Sequence, residues 1–274
     1  MKISASINKI LAQEVDPAFA QRSRYILEAI ENNQPAKILD AGCGRGFYVK
    51  LFTYLGFAQK IVGIDINEVY LQKARQIARD NKKVVLKQGS IYKIPYPDNH
   101  FDCVVCSEVL EHLDDDSAAL KELYRVLKPQ GLLLVTVPHY RFPLLWDPLN
   151  WILMKTFRTH VRKNIWWLAG IWADHERLYT KKALVSLLTK QDFSIANVKD
   201  VINWSWPFSH FWLYGIGKNL VERAGAKNFD RFNFTQQKPL SHLLASLMAF
   251  PSRLLDDRIN TGASVDLFVA AKKT

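Results

Sequence analysis

Three glycines and two aspartates near the start of the chain have the types and spacing to cradle a nucleoside-like ligand. The stretch ILDAGCGRGF sets Gly42, Gly44 and Gly46 directly after an apolar run and ahead of a helical one. Glycine there lets the backbone turn tightly and approach a ligand closely, and a helix amino terminus favours negative groups. Asp40 precedes the loop, and IVGIDINE ends a second apolar run at Asp65, about 20 residues beyond the glycines, where an acid can bond both hydroxyls of a ribose. A dinucleotide fingerprint starting at Gly42 would need glycine or alanine at position 47, which is Phe47.

A second group could move a proton or hold a cation. In SEVLEHL, Glu108, Glu111 and His112 are spaced to share one side of a helical turn. A closed metal site needs further ligands, and only His139 or His175 could supply them; in the competing reading no metal is held and His112 caps or packs. His139 directly follows an apolar run, in TVPHYR. An imidazole at such a place can take a proton from a hydroxyl, and its ordinary pKa near neutrality suits the task. The alternative is a solvated loop histidine, and His175, in ADHERLYT, is the second candidate base. Cys103 and Cys106 form a C-x-x-C inside an extended run, where residues three apart point to opposite faces, so they read as core thiols and not as a redox or metal pair. DDDS at Asp114 to Ser117 reads as solvated helix capping.

These residues must be positioned by the elements around them, and the first half of the chain reads as strand and helix in alternation. AKILDAG, KIVGIDI, VVLKQGS, FDCVVCSE and GLLLVTVP are five strands. FYVKLFTYLG, EVYLQKARQIARDN and DSAALKELYRVLKPQG are helices, the last capped by Asp116 or Ser117 and stopped by Pro129 and Gly131. Alternation of this kind implies a mostly parallel sheet covered on both faces. A helix and strand return in YTKKALVSLLTKQDFSIANVKDV, and ASVDLFVAAKK ends the chain as a final strand.

Asp40 ahead of G-x-G-x-G resembles the S-adenosylmethionine loop of class I methyltransferases. GSIYKIPYPDNHFDCVVCSEVLEHL and ELYRVLKPQGLLLVTVP are similar to stretches of the small-molecule and lipid methyltransferases of that superfamily, the ubiquinone-pathway enzymes among them. The resemblance runs from about Ala36 to Val137. It implies S-adenosylmethionine as cofactor and an α/β, Rossmann-like, seven-stranded and mostly parallel sheet with helices on both faces. Asp40, Gly42, Gly44 and Gly46 would hold the methionine end, Asp65 and Ile66 the ribose, and Ser90 and Ile91 the adenine. Ser107 and Glu108 would border the sulfonium. Ser90 departs from the pattern, which usually has an acid there. SEVLEHL also resembles the divalent-metal motif of ubiquinone-pathway O-methyltransferases and small-RNA 2′-O-methyltransferases, although metal-free relatives carry the same string.

Beyond Pro138 the texture changes, for all eight tryptophans lie there. The chain is read as one domain: an N-terminal helical segment over 1–35, a donor-binding core over 36–138, and two aromatic-rich insertions over 139–174 and 203–262. By the resemblance, both insertions emerge on the rim where the donor sits and form a lid. From Leu149 to Arg162 the first has helical phase, with Leu149, Leu153, Met154, Phe157 and Val161 on one side and Lys155, Arg158 and Arg162 on the other. Basic and aromatic residues beside a short apolar stripe are what interfacial helices use. An inert lid core and an RNA-stacking platform compete with membrane docking; no RNA-binding module is recognisable, so nucleic acid ranks last.

The formal charge of +11 suits an anionic partner. Three cysteines are too few for a disulfide scaffold and favour a reducing compartment. No signal peptide or spanning helix is read, so the expected location is cytoplasmic, at or near a membrane surface. The sequence therefore leads to methyl transfer from S-adenosylmethionine to a lipophilic or lipid-linked acceptor, at oxygen before carbon or nitrogen. RNA 2′-O-methylation and a non-catalytic donor-binding scaffold are the alternatives.

Overall fold

The computed structural model describes residues 5–79, 81–165, 168–217, 231–232, 239–255 and 262–274. Its strands are β1 (Lys37–Ala41), β2 (Lys60–Asp65), β3 (Val84–Gln88), β4 (Phe101–Ser107), β5 (Leu127–Pro138), β6 (Phe193–Val201) and β7 (Asp266–Lys273). They join in one sheet in the order β3-β2-β1-β4-β5-β7-β6. The first five run parallel, whereas β7 is antiparallel to both β5 and β6. The Rossmann-like sheet expected from the alternation is thus present, its polarity reversed at one strand.

Helices cover both faces, and strand alternation decides which residue meets which helix. On one face Ile38, Cys103, Leu132, Leu134 and Phe268 pack with Ile26, Leu27, Val49 and Phe52, which come from α2 (Pro17–Asn33) and α3 (Phe47–Phe52). On the other, Leu39, Cys106, Leu133, Val135 and Val269 pack with residues of α5 (Asp116–Val126) and α7 (Lys181–Thr189). Cys103 and Cys106 therefore sit in different cores, both as free thiols, as their strand spacing requires.

The N-terminal segment is helical, with α1 (Ala5–Leu11) preceding α2. Asp16 caps α2 by accepting from the backbone N–H of Ala18 and Phe19. Helix α4 (Glu68–Ile77) follows β2, capped by Asn67 in the same way. Two details differ from the sequence reading. The cap of α5 is Asp115, which accepts from Ala118 N–H, and not Asp116 or Ser117 as expected. Pro129 and Gly131 lie within β5; α5 ends earlier, where Leu127 turns extended, and the pairing register with β4 jumps between Leu127 and Leu132.

The first insertion lies between β5 and α7. Its helix α6 (Pro148–Ile152) continues as a π-helical turn (Leu153–Phe157) and stops at Arg158 in the left-handed region, φ 52°. The helix expected to reach Arg162 is therefore shorter, and Phe157, expected on its packed side, is 68% exposed. What fixes this insertion is polar: Asp147 accepts from Asn150 and from Ile171 N–H, while Asn150 donates to the Ala169 carbonyl and accepts from Val161 N–H. Trp146 is buried against the main core. The second insertion, between β6 and β7, holds a π-helical turn (Phe211–Gly217) and the helix α8 (Pro239–Leu255).

Candidate active site

The loop after β1 is pinned to β2, because the N–H groups of Gly42 and Cys43 both donate to the Ile64 carbonyl. Gly42, at φ 79°, lies so close to Val109 that a Cβ would stand 2.5 Å from its Cγ2. The glycine loop thus rests on the segment that carries Glu108 and Glu111. At Gly44 the reverse holds: its φ is 51°, and a Cβ there would meet no atom within 4 Å. The loop's tip faces open space, as a ligand cradle must. Gly46, at φ 84°, ends the loop at the start of α3.

Asp65 closes the cradle at the end of β2. One carboxylate oxygen accepts from Gly44 N–H at 2.8 Å and the other from Asn67 N–H at 2.8 Å. Asp40 is buried, and its Oδ2 has no hydrogen-bond partner. Burial, and then the charge of Asp65, push its carboxyl up to about 8. Ile66 is 73% exposed beside the cradle, with its carbonyl held by Gln88 Nε2. Ser90 is half-buried, and its hydroxyl accepts from Tyr92 N–H within a local turn, while Ile91 packs on the second core. An orphaned acid with an open glycine tip, and an acid at the next strand end, fit the methionine and ribose ends of S-adenosylmethionine.

Next to the cradle a polar chain crosses the carboxyl ends of the central strands. Tyr48 OH accepts from Ser23 at 3.2 Å and from Ser107 at 3.3 Å. Ser107 Oγ lies 2.8 Å from Thr136 Oγ1, which donates to Glu108 Oε1 at 2.9 Å. Arg22 on α2 pairs with Asp266 at 2.6 Å and lies 3.8 Å from Glu108. Glu108 is held at φ 57°, in the left-handed region. Sequence reasoning missed Arg22, Asp266, Thr136 and Tyr48. The available signals were an arginine amid the apolar residues of α2 and an acid opening the final apolar strand.

Glu111, His112 and His175 form a second constellation, each offering one ligating atom, and these atoms all lie within 4.8 Å of one another. His112 Nδ1 contacts the Asp174 carbonyl at 2.8 Å and His175 Nδ1 the Ile171 carbonyl at 2.6 Å. With Nδ1–H donating to a carbonyl, each ring presents the lone pair of Nε2. Glu111 is fully buried, with neither oxygen hydrogen-bonded. Burial and then Glu108 hold its carboxyl well above the usual range. His175 is lowered by burial and then by His112, which leaves it neutral near pH 7.

His139 stands apart from both groups. It is buried, its Nδ1 lies 2.9 Å from Ser264 Oγ, and the charged groups that act on it are Asp200, Lys181 and Arg141. Burial lowers it to about 4. The structure brings Glu108, Glu111, His112 and His175 together and leaves His139 outside.

The sheet order and the glycine cradle define the class I methyltransferase fold. Residues 39–135 match the family described as a methyltransferase domain. This stretch is therefore a methyltransferase domain, and the fold around it is shared with S-adenosylmethionine-dependent methyltransferases. An uncharacterized methyltransferase of Schizosaccharomyces pombe is 39% identical over 119 residues, 40% of this chain and 41% of the relative. The ubiquinone/menaquinone biosynthesis C-methyltransferase of Proteus mirabilis is 35% identical over 162 residues, 58% of this chain and 63% of the relative. The matches thus span about two fifths to under two thirds of these relatives. The S-adenosylmethionine-dependent methyltransferase of Mesorhizobium loti shares the fold at a TM-score of 0.55 and 18% identity, covering 93% of this chain and 100% of that one. The [4+2]-cyclase SpnF shares it at 0.57 and 21%, covering 93% and 81%.

Proposed function

We propose that this protein transfers a methyl group from S-adenosylmethionine to an oxygen of a lipophilic or lipid-linked acceptor at a membrane surface. The observation that carries the reading is the grouping of His175 with Glu108, Glu111 and His112, on the segment that packs against the glycine loop at Val109. S-adenosylmethionine supplies an electrophilic methyl when bound. Asp40 and the loop at Gly42, Gly44 and Gly46 hold the methionine end, Asp65 and Ile66 the ribose, Ser90 and Ile91 the adenine, and Ser107 with Glu108 borders the sulfonium. An acceptor hydroxyl must lose a proton as it is methylated, and neutral His175 offers Nε2 to take it. The insertions exclude water, and in-line positioning supplies most of the acceleration.

A second use of the same cluster is holding a divalent cation against acceptor oxygens. It is favoured by the paired carbonyl contacts at Nδ1 of both histidines, the outer-shell pattern of metal-binding imidazoles. The likeness to the Proteus C-methyltransferase of ubiquinone/menaquinone biosynthesis favours carbon on a quinone as acceptor atom instead. Incubation with methyl-labelled donor and extracted lipid decides: an alkali-stable methyl ether supports oxygen, and a label on a ring carbon supports the quinone reading. Label in RNA, or none in any fraction, counts against both.

Membrane contact is supported by α8. Leu240, Leu243, Leu247, Phe250 and Leu254 recur at helical spacing and are all exposed, and Trp206 stacks on Phe250. No described helix is long and apolar enough to cross a membrane, which suits a helix lying in the interface.

A further inference from the structure

A cavity of about 870 Å³ opens between the two insertions, lined by Tyr140, Arg141, Trp151, Met154, Lys155 and Trp204 among others. It shares no residue with the donor cradle or the acid–histidine cluster. Its volume falls in the range of roughly 300–1,000 Å³ typical of small-molecule sites. Two solvent-exposed cations border an otherwise largely apolar and aromatic wall, and no acid among the described residues lines it. Arg141 and Lys155 make no ion pair among the described residues; Lys155 Nζ lies 4.8 Å from the centre of the Trp151 ring. An apolar, aromatic hollow with two exposed cations beside it and no acid in its described wall complements an anionic head on an apolar tail.

We propose that this cavity binds a single-chain anionic amphiphile, with its head on Arg141 and Lys155 and its chain along Trp151, Met154 and Trp204. The cavity also touches the catalytic side. Trp172 Nε1 donates to Met154 Sδ at 3.2 Å, and the neighbouring Ile171 carbonyl holds His175. Met154 thus links the cavity wall to the segment that sets the His175 ring. That the amphiphile is the methyl acceptor rests on the proposed function; that it binds does not.

Isothermal titration with monomeric dodecyl phosphate tests the site, with dodecyltrimethylammonium and inorganic phosphate as comparison ligands. The anionic amphiphile should bind at least about tenfold more tightly than either. The double variant Arg141→Glu, Lys155→Glu should lose about tenfold or more in that affinity, while its S-adenosylmethionine affinity and melting temperature match the wild type. Equal affinity for the two amphiphiles, undiminished binding by the double variant, or a signal seen only with phosphatidylglycerol vesicles overturns the proposal. If wild type takes up dodecyl phosphate but not S-adenosylmethionine, the methyltransferase reading falls and this one stands.

Discussion

Glu111 Oε1 lies 3.6 Å from His112 Nε2, inside a pocket where neither carboxylate oxygen of Glu111 accepts a hydrogen bond. A buried acid left in that state is either protonated or neutralised by a cation. The lone pairs of Glu111, His112 and His175 converge, so Mn²⁺ is expected to raise the melting temperature by a few degrees in wild type and not in Glu111→Gln or His175→Ala. The shift should reverse on chelation. Scanning calorimetry with and without the ion checks this, and no shift in wild type would leave His175 as a metal-free base.

Asp40 predicts a proton released on donor binding. Its buried carboxyl titrates at about 8, so near pH 7 it is mostly protonated, whereas the donor's ammonium favours the carboxylate. Titrations at pH 7 in buffers of different ionisation heat should differ by close to one proton for wild type and by none for Asp40→Asn. Stability moves the other way. The folded value lies above the unfolded one of about 3.9, so the unfolded chain ionises first and stability is lost as pH rises from about 4 to about 8. Asp40→Asn should therefore melt higher than wild type, by more at pH 8 than at pH 5.

Gly42 and Gly44 should fail differently when substituted. An alanine Cβ at 42 would stand 2.5 Å from Val109, on the segment bearing Glu108, so Gly42→Ala should lower both melting temperature and turnover. At 44 a Cβ meets no atom within 4 Å. Gly44→Val should then cost only the backbone strain of a positive φ, about 1–3 kcal/mol, while blocking the donor. Calorimetry and donor titration on the two variants separate packing from ligand exclusion.

The Arg22–Asp266 pair ties α2 to β7 at full burial, with Glu108 nearby. Removing one partner of a buried pair leaves an uncompensated charge at a cost of about 3–5 kcal/mol. Arg22→Met should show that loss in urea denaturation at neutral pH. Arg22→Met with Asp266→Leu should recover a large part of it, yet leave Glu108 without its cation. Stability restored without activity is the expected pattern, and it would assign Arg22 to positioning Glu108.

The sheet, the glycine cradle and Asp65 were legible because each depends on contacts local to one strand–loop–helix unit. Apolar runs of strand length, small residues after them and an acid at a fixed offset are written in consecutive residues. Arg22, Thr136 and Asp266 were not legible: they meet across three separate elements, and only the sheet order brings them together. The surroundings of His139 were not legible for a related reason: it follows β5 as expected, but the chain leading into β7 places Ser264 over it, and it is buried. The first insertion read as an amphipathic helix to Arg162 because phase alone cannot show that Asp147 and Asn150 turn the chain back at Arg158.

A surface expected to meet lipid is α8. Of the first insertion's tryptophans, Trp166 and Trp167 lie outside the described residues, and Trp146 is buried in the core. By contrast Leu243, Leu247 and Phe250 are each at least half exposed along one helix, with Arg253 on the same helix to meet anionic headgroups. Flotation with phosphatidylglycerol vesicles should fall by about an order of magnitude when these three become serine, since burying each apolar side chain contributes about 1.5–3 kcal/mol at full depth and less at an interface. Equal flotation by wild type and the α8 variant, with unaltered donor affinity in both, would move the contact elsewhere on the chain.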